Sequence, residues 1–202
     1  NNMKGFTLIE ILVSVGVLIM IGIVASTFAR NVLIYNSAGH DNLVLQLEGR
    51  RVLRTVVSEL RTASQSVLGA YPIDTAATNT LIFFADINND GFSERIRYFL
   101  DHSTRTLKKG VIVPSGSPAT YNLGNETIVT LVSNVANGTS TPIFDYYNSS
   151  YAGTTTPLII PVNISSIRLI RASVLIDRDA NRSPNTVYFI SSVMPRNLKD
   201  NL

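Results

Sequence analysis

Four of the oxygen-bearing side chains in the stretch DINNDGFSE have a spacing that could bind a metal ion. Asp86, Asn88 and Asp90 occupy alternate positions before Gly91, and Glu94 follows three residues after that glycine. Alternating carboxylate and amide oxygens before a glycine are typical of the first half of a calcium loop, in which the glycine allows a sharp turn. Calcium coordination is therefore the first chemistry that this spacing indicates.

An ordinary hairpin turn explains the same residues. Counted from Asp86, the loop position where an EF-hand carries a bidentate glutamate is occupied by Arg97, which excludes an EF-hand. Asn, Asp and Gly are also the residues that a plain turn requires. The plain turn is the favoured interpretation. Calcium held by Asp86, Asn88, Asp90 and Glu94 is the alternative, and we expect no other cofactor.

A second candidate is Glu10, a single carboxylate at the start of an apolar run. No charged residue occurs from Ile11 to Ala29, and about 20 apolar residues are enough for a helix to cross the hydrocarbon core of a bilayer. Placing a carboxylate in such a segment costs free energy, so Glu10 is a candidate functional residue. The alternative is that Glu10 reaches back to the membrane surface.

The apolar run predicts a single-pass membrane helix that leaves the larger, C-terminal part of the chain outside the cytoplasm. Lys4 precedes the run and Arg30 follows it, and the short N-terminal side is expected inside the cell. A secretory signal peptide cleaved near Ser26 is the alternative, although its apolar region would be shorter and would follow a basic stretch.

Composition excludes several classes of function. The 202 residues include no cysteine and only two histidines, so thiol chemistry and multi-histidine metal sites are ruled out. The net charge of +3 comes from scattered basic residues, and nothing indicates nucleic-acid binding. No Gly-rich phosphate loop or Ser/His/Asp arrangement occurs in a usable context. We therefore expect no enzymatic activity.

The elements that would position these residues are a helix and a series of strands. Apolar residues recur at helical spacing beyond the membrane segment and predict an amphipathic helix as far as about residue 68; they are Leu53, Val56, Val57, Leu60, Ala63 and Val67. TLIFFADI and RIRYFLD flank the acidic loop and predict a hairpin, with further strands behind it. The expected fold is α+β: a long N-terminal helix, membrane-spanning and then amphipathic, packed on an antiparallel β-sheet domain.

The residues from Lys4 to Glu10, KGFTLIE, followed by an apolar run, resemble the processing signal of bacterial type IV pilins and pseudopilins. The resemblance implies that prepilin peptidase cuts between Gly5 and Phe6 and methylates the new N-terminus. The apolar helix is then retained, first in the membrane and later in a filament core. In that family a glutamate at the fifth mature position corresponds to Glu10 here.

The resemblance gives Glu10 a partner. A carboxylate buried in a filament core must pair with a cation or take up a proton. The ammonium group created at Phe6 of a neighbouring subunit is such a cation, and it would exist only after processing. We expect this pairing to set the axial register between subunits more than to add stability.

Other short strings resemble the larger minor subunits of the family. ELRTAS, DINNDG, LVSNV before IFDYY, and SSVMPRNL are similar to the J-type pseudopilin of type II secretion and to W-type minor pilins. Major pilins usually carry a proline at the position of Thr27 and a C-terminal disulfide, and this chain has neither. Both differences indicate a minor subunit.

The expected organisation is a cleaved leader at residues 1–5, a transmembrane and filament-core helix at 6–29, its amphipathic continuation at 30–70, and a β-rich exterior domain at 71–202. The expected function is that of a non-catalytic subunit of a type IV pilus or type II secretion pseudopilus, located in the bacterial inner membrane and then at or near the filament tip. Its partners would be prepilin peptidase, other pilin subunits, the inner-membrane assembly platform and the lipid bilayer. The alternative function is a membrane-anchored exterior binding module that depends on calcium.

Overall fold

The structure is a computed structural model that describes residues 5, 7–138, 140–177 and 186–198, and only the backbone of residues 33–43. The chain divides into two compact units, residues 1–44 and 45–202. Helix α1 (Leu8–Arg61) runs from the first unit into the second. Each unit is described below by itself.

The first unit contains the apolar part of α1. Residues Leu8–Val32 have a mean hydropathy of 2.7 and are not buried by any other part of the described chain. By length and composition this segment could span a membrane. The helix is regular at Thr27, whose hydroxyl donates hydrogen bonds to the carbonyl oxygens of Ile23 and Val24.

In the second unit, α1 buries one stripe of side chains and exposes the other. Leu45, Val52, Leu53, Val56 and Leu60 are buried at the spacing that places residues on one face of a helix. The arginines at positions 50, 51 and 54 are exposed. The amphipathic pattern read from the sequence is thus matched by the observed burial.

The described strands form two antiparallel sheets. The first has the order β1-β2-β3-β4-β5 and the second the order β6-β7-β8. Their bounds are β1 Ile73–Ala76, β2 Thr80–Ala85, β3 Glu94–Asp101, β4 Thr106–Ile112, β5 Thr127–Val132, β6 Phe144–Tyr147, β7 Leu169–Ile176 and β8 Val187–Val193. Short 3-10 turns occur at Leu123–Asn125, Ile164–Ser166 and Arg196–Leu198. The α+β class and the antiparallel pairing are confirmed.

One hydrophobic cluster joins the second half of α1 to both sheets. In β3, Ile96, Tyr98 and Leu100 alternate with partly exposed residues and enter this cluster, as period-two alternation predicts. The strands contribute large buried side chains from each sheet, including Leu81, Phe83, Leu107, Phe144, Tyr146, Ile170, Val174 and Ile176.

The structure differs from the sequence expectation in two places. The helix ends at Arg61, although it was expected to continue to about residue 68. It ends there because the backbone N–H of Ser64 donates to the carbonyl of Phe84, and Ala63 forms a bridge with Ala85 of β2. In addition, the strands form two sheets, although the sequence indicated one.

Candidate functional site: the amino-terminal segment and the β2–β3 loop

The start of α1 is a capping box built from Thr7 and Glu10. The Glu10 carboxylate accepts hydrogen bonds from the backbone N–H and the hydroxyl of Thr7, both at 2.9 Å. In return, the Thr7 hydroxyl accepts a 3.4 Å bond from the backbone N–H of Glu10. This arrangement satisfies backbone donors that have no partner within the helix. The only carboxylate of the apolar segment therefore has a local role as a helix cap.

Gly5 lies just before this cap, outside the helix. A Cβ atom built at Gly5 meets no atom within 4 Å, so packing among the described residues does not require glycine at this position. Phe6, which the sequence analysis assigned to processing and assembly, lies outside the described residues.

The acidic loop, residues 86–93, connects β2 to β3 and is closed by the pairing of Ala85 with Glu94. Gly91 has a φ of +88°, a conformation that glycine adopts without strain. Its N–H donates to Asp86 Oδ2 at 2.9 Å. The N–H of Ile87 donates to Glu94 Oε2, also at 2.9 Å. The hairpin predicted from the turn residues is confirmed, and backbone donors orient two of its carboxylates.

Three of the four predicted ligands come together in this loop. Carboxylate oxygens of Asp86, Asp90 and Glu94 all lie within 4.8 Å of one another. Asn88 supports this group: its amide donates to Asp90 Oδ2 at 2.8 Å, and its oxygen accepts from the N–H of Asp90 at 2.9 Å. Arg97, at the position where an EF-hand has its last ligand, instead binds Glu126 through two hydrogen bonds.

No protein-family model, curated protein or solved structure matches this chain. The functional assignment therefore depends on the residues themselves.

The capping role of Thr7 was not predicted from the sequence, although the signal was present. Thr7 and Glu10 in TLIE have the Ser/Thr-x-x-Glu spacing that marks a helix start before an apolar run. A functional interpretation of Glu10 must therefore separate its charge from its hydrogen bonds to Thr7.

A polar cluster that was not predicted from the sequence joins α1 to the first sheet. Glu59 Oε2 accepts a 2.6 Å bond from the Tyr98 hydroxyl, and Glu59 Oε1 accepts a 2.5 Å bond from Lys109 Nζ. Burial, followed by the nearby Glu59 charge, holds the pKa of Tyr98 well above its usual range. In the sequence, a glutamate next to the apolar face of an amphipathic helix is expected at the surface. No sequence pattern therefore indicated that Glu59 binds Tyr98 and Lys109.

Gly49, inside helix α1, has a packing role. A Cβ atom built there would lie 2.3 Å from the ring of Phe189 in β8, far closer than real side chains approach. The absence of a side chain at Gly49 lets this aromatic ring pack directly against the helix.

Proposed function

We propose that this chain is a non-catalytic structural subunit, a minor pilin or pseudopilin, that is processed by prepilin peptidase and assembled at or near the tip of a type IV pilus or type II secretion pseudopilus. The bacterial inner membrane would hold it before assembly. Its partners there would be the peptidase, the assembly platform and other pilin subunits.

The observation that carries the proposal is the contrast within the first unit between composition and burial. Residues Leu8–Val32 are strongly apolar, yet no described part of the chain covers them. An apolar surface of this size in water is unfavourable by about 25 cal/mol per Å². The segment therefore needs a cover, first lipid and then the equivalent helices of other subunits.

Glu10 supports the proposal that the helices of other subunits cover the apolar segment. Lipid alone gives no reason to keep a carboxylate within an apolar helix. Its capping bonds to Thr7 use hydrogen-bond acceptors but leave the negative charge without a cation among the described residues. A new ammonium group at Phe6 of a neighbour supplies that cation in the proposed filament.

Gly5 supports processing. A glycine that no packing contact explains fits a cleavage position at which the peptidase accepts only a very small residue. The polar cluster of Glu59, Tyr98 and Lys109 connects α1 to the first sheet, which fits a structural role for these residues.

Three variants separate the charge of Glu10 from its capping role. Glu10→Gln keeps an acceptor at the capping position but removes the charge, Glu10→Ala removes both, and Thr7→Ala keeps the charge while removing the reciprocal cap. All three should insert in the membrane and be cleaved. In cells that carry a pilus assembly machinery, we expect the first two to fall at least about tenfold in the sheared filament fraction and Thr7→Ala to remain near the parent level.

Two results would contradict this role for the charge. The first is parent-level incorporation of Glu10→Gln, and the second is a loss in Thr7→Ala as large as that in Glu10→Gln. Immunoblots of the membrane fraction, normalised for total subunit, provide the control for expression and insertion.

A further inference from the structure

The β2–β3 loop and the first residue of β3 contain two buried oxygen atoms that no hydrogen bond satisfies. Within the described residues, four buried side-chain nitrogen or oxygen atoms have no hydrogen-bond partner, and two of them are Asp86 Oδ1 and Glu94 Oε1. Glu94 is only 1% exposed. A buried carboxylate oxygen without a partner is strongly unfavourable, so both atoms indicate a missing partner.

The charges around these oxygens favour a positively charged partner. Asp86, Asp90 and Glu94 bring three carboxylates within 4.8 Å of one another, and like charges at that distance repel. The two nearby arginines of β3 are already paired, Arg95 with Asp74 at 2.9 Å and Arg97 with Glu126 at 2.6 Å. The ion pairs formed by described residues include none of the three carboxylates.

The three carboxylates are close enough to share one cation. Oxygens bound to one Ca²⁺ at about 2.4 Å lie at most about 4.8 Å apart, and the oxygens of Asp86, Asp90 and Glu94 lie within that limit. The donors are hard carboxylate oxygens with no nitrogen or sulfur among them, which is the set that calcium prefers. Water molecules would complete the coordination shell.

We propose that the β2–β3 loop is a calcium site in which Asp86, Asp90 and Glu94 are the ligands. Asn88 is a positioning residue, because both of its observed hydrogen bonds hold Asp90. The ion joins the end of β2 to the start of β3, and it stabilises the sheet that packs against α1. This site does not depend on the proposed filament function.

Glu94→Gln gives the sharpest test because it keeps the size of the side chain and removes its charge. In the full chain in a non-ionic detergent, we expect about 5 mM CaCl2 to raise the Tm of the parent by about 5 °C relative to EDTA. Glu94→Gln and Asp86→Asn should lose that rise. In EDTA, Glu94→Gln should be at least as stable as the parent, because it removes an uncompensated buried charge.

Asp101→Asn is the matched control. Asp101 is also a hairpin carboxylate, but it is paired with Lys108, so its loss changes the baseline Tm and leaves the calcium response intact. Titration calorimetry with CaCl2 should show one site in the parent and at least about tenfold weaker binding in Glu94→Gln.

Three outcomes would overturn the assignment. One is an equal Tm of the parent in CaCl2 and in EDTA, and another is an unchanged calcium response in both Glu94→Gln and Asp86→Asn. The third is an equal response of the parent to MgCl2, which would contradict the choice of calcium. Because none of these measurements involves processing or filaments, their failure is distinct from a failure of the proposed function.

Discussion

The two ends of helix α1 have the same backbone structure but opposite surroundings. In the first unit, residues Leu8–Val32 bury nothing against the described chain. In the second unit, residues 45–61 contribute buried side chains such as Val56 and Leu60 to a core shared with two sheets. The difference shows that the described residues cover the second part of the helix and leave the first part uncovered.

The largest expected effect separates these two regions with one type of substitution. Leu60 is fully buried, and Leu12 is 63% exposed. We expect Leu60→Ala to destabilise the second unit by about 3 kcal/mol, because it removes buried contacts and leaves a cavity. Leu12→Ala should leave the unfolding free energy of that unit unchanged. Chemical denaturation of both variants in detergent provides the measurement, and equal losses would show that the comparison is wrong.

A smaller loss of stability is expected from substitution at Gly49, and Gly22 is the control. Gly49→Ala forces the Phe189 ring away from the helix and should cost about 1 kcal/mol despite the gain in helix propensity. A Cβ atom at Gly22 meets nothing within 4 Å, so Gly22→Ala should cause no loss. A double-mutant cycle tests the cause: in a Phe189→Ala background, Gly49→Ala should become neutral or stabilising, and a persistent loss would exclude the ring as the cause.

The smallest expected effect is the pH dependence of stability that comes from the contact between Tyr98 and Glu59. The pKa of Tyr98 is raised in the folded state, so this tyrosine stays neutral where the unfolded chain already ionises. Its contribution to stability is complete below about pH 10, the ordinary value for tyrosine, and is lost as the pH rises toward the folded-state pKa. Thermal unfolding above about pH 10 should therefore show a steeper loss in the parent than in Tyr98→Phe.

Tyr71→Phe is the control for this pH profile, because Tyr71 is exposed and its replacement should leave the slope unchanged. An identical slope in the parent and in Tyr98→Phe would contradict the assignment of the alkaline loss to the Glu59 cluster.

Sequence patterns predicted the local features of the fold and missed those that depend on distant residues. The apolar periods of α1 and β3 and the DINNDG hairpin could be read directly, because each depends on neighbours within a few residues. The end of the helix at Arg61 could not, since it depends on hydrogen bonds to β2. Strand β1, with only Ile73 buried, has too short a pattern to stand out.

In the calcium candidate, too, the local spacing could be predicted from the sequence and the surroundings of the residues could not. The spacing of Asp86, Asn88 and Asp90 was visible in the sequence, but it left an ordinary turn and a calcium loop as alternatives. The unpartnered, buried oxygens of Asp86 and Glu94 became apparent only in the structure. The hairpin was predicted from local residues, but the burial of these oxygens depends on the packing around it, which no local pattern contains. That burial changed the favoured interpretation of the loop.

The proposed processing at Gly5 can be tested without disturbing the fold. Gly5→Leu should remain uncut in cells that contain prepilin peptidase, because a large side chain would block the cleavage position. A Cβ atom at Gly5 meets no described atom, so this variant should still fold and insert, which makes it the control for the measurement below.

The central claim is that the uncovered apolar helix belongs to a processed filament subunit, and the mature N-terminus tests it most directly. Intact-mass and peptide mass spectrometry of the full chain, purified from membranes that contain prepilin peptidase, should show a chain that begins with N-methyl-Phe6. The same measurement on Gly5→Leu should show the leader still attached. A parent chain with an intact leader, or one cut near Ser26, would contradict the account.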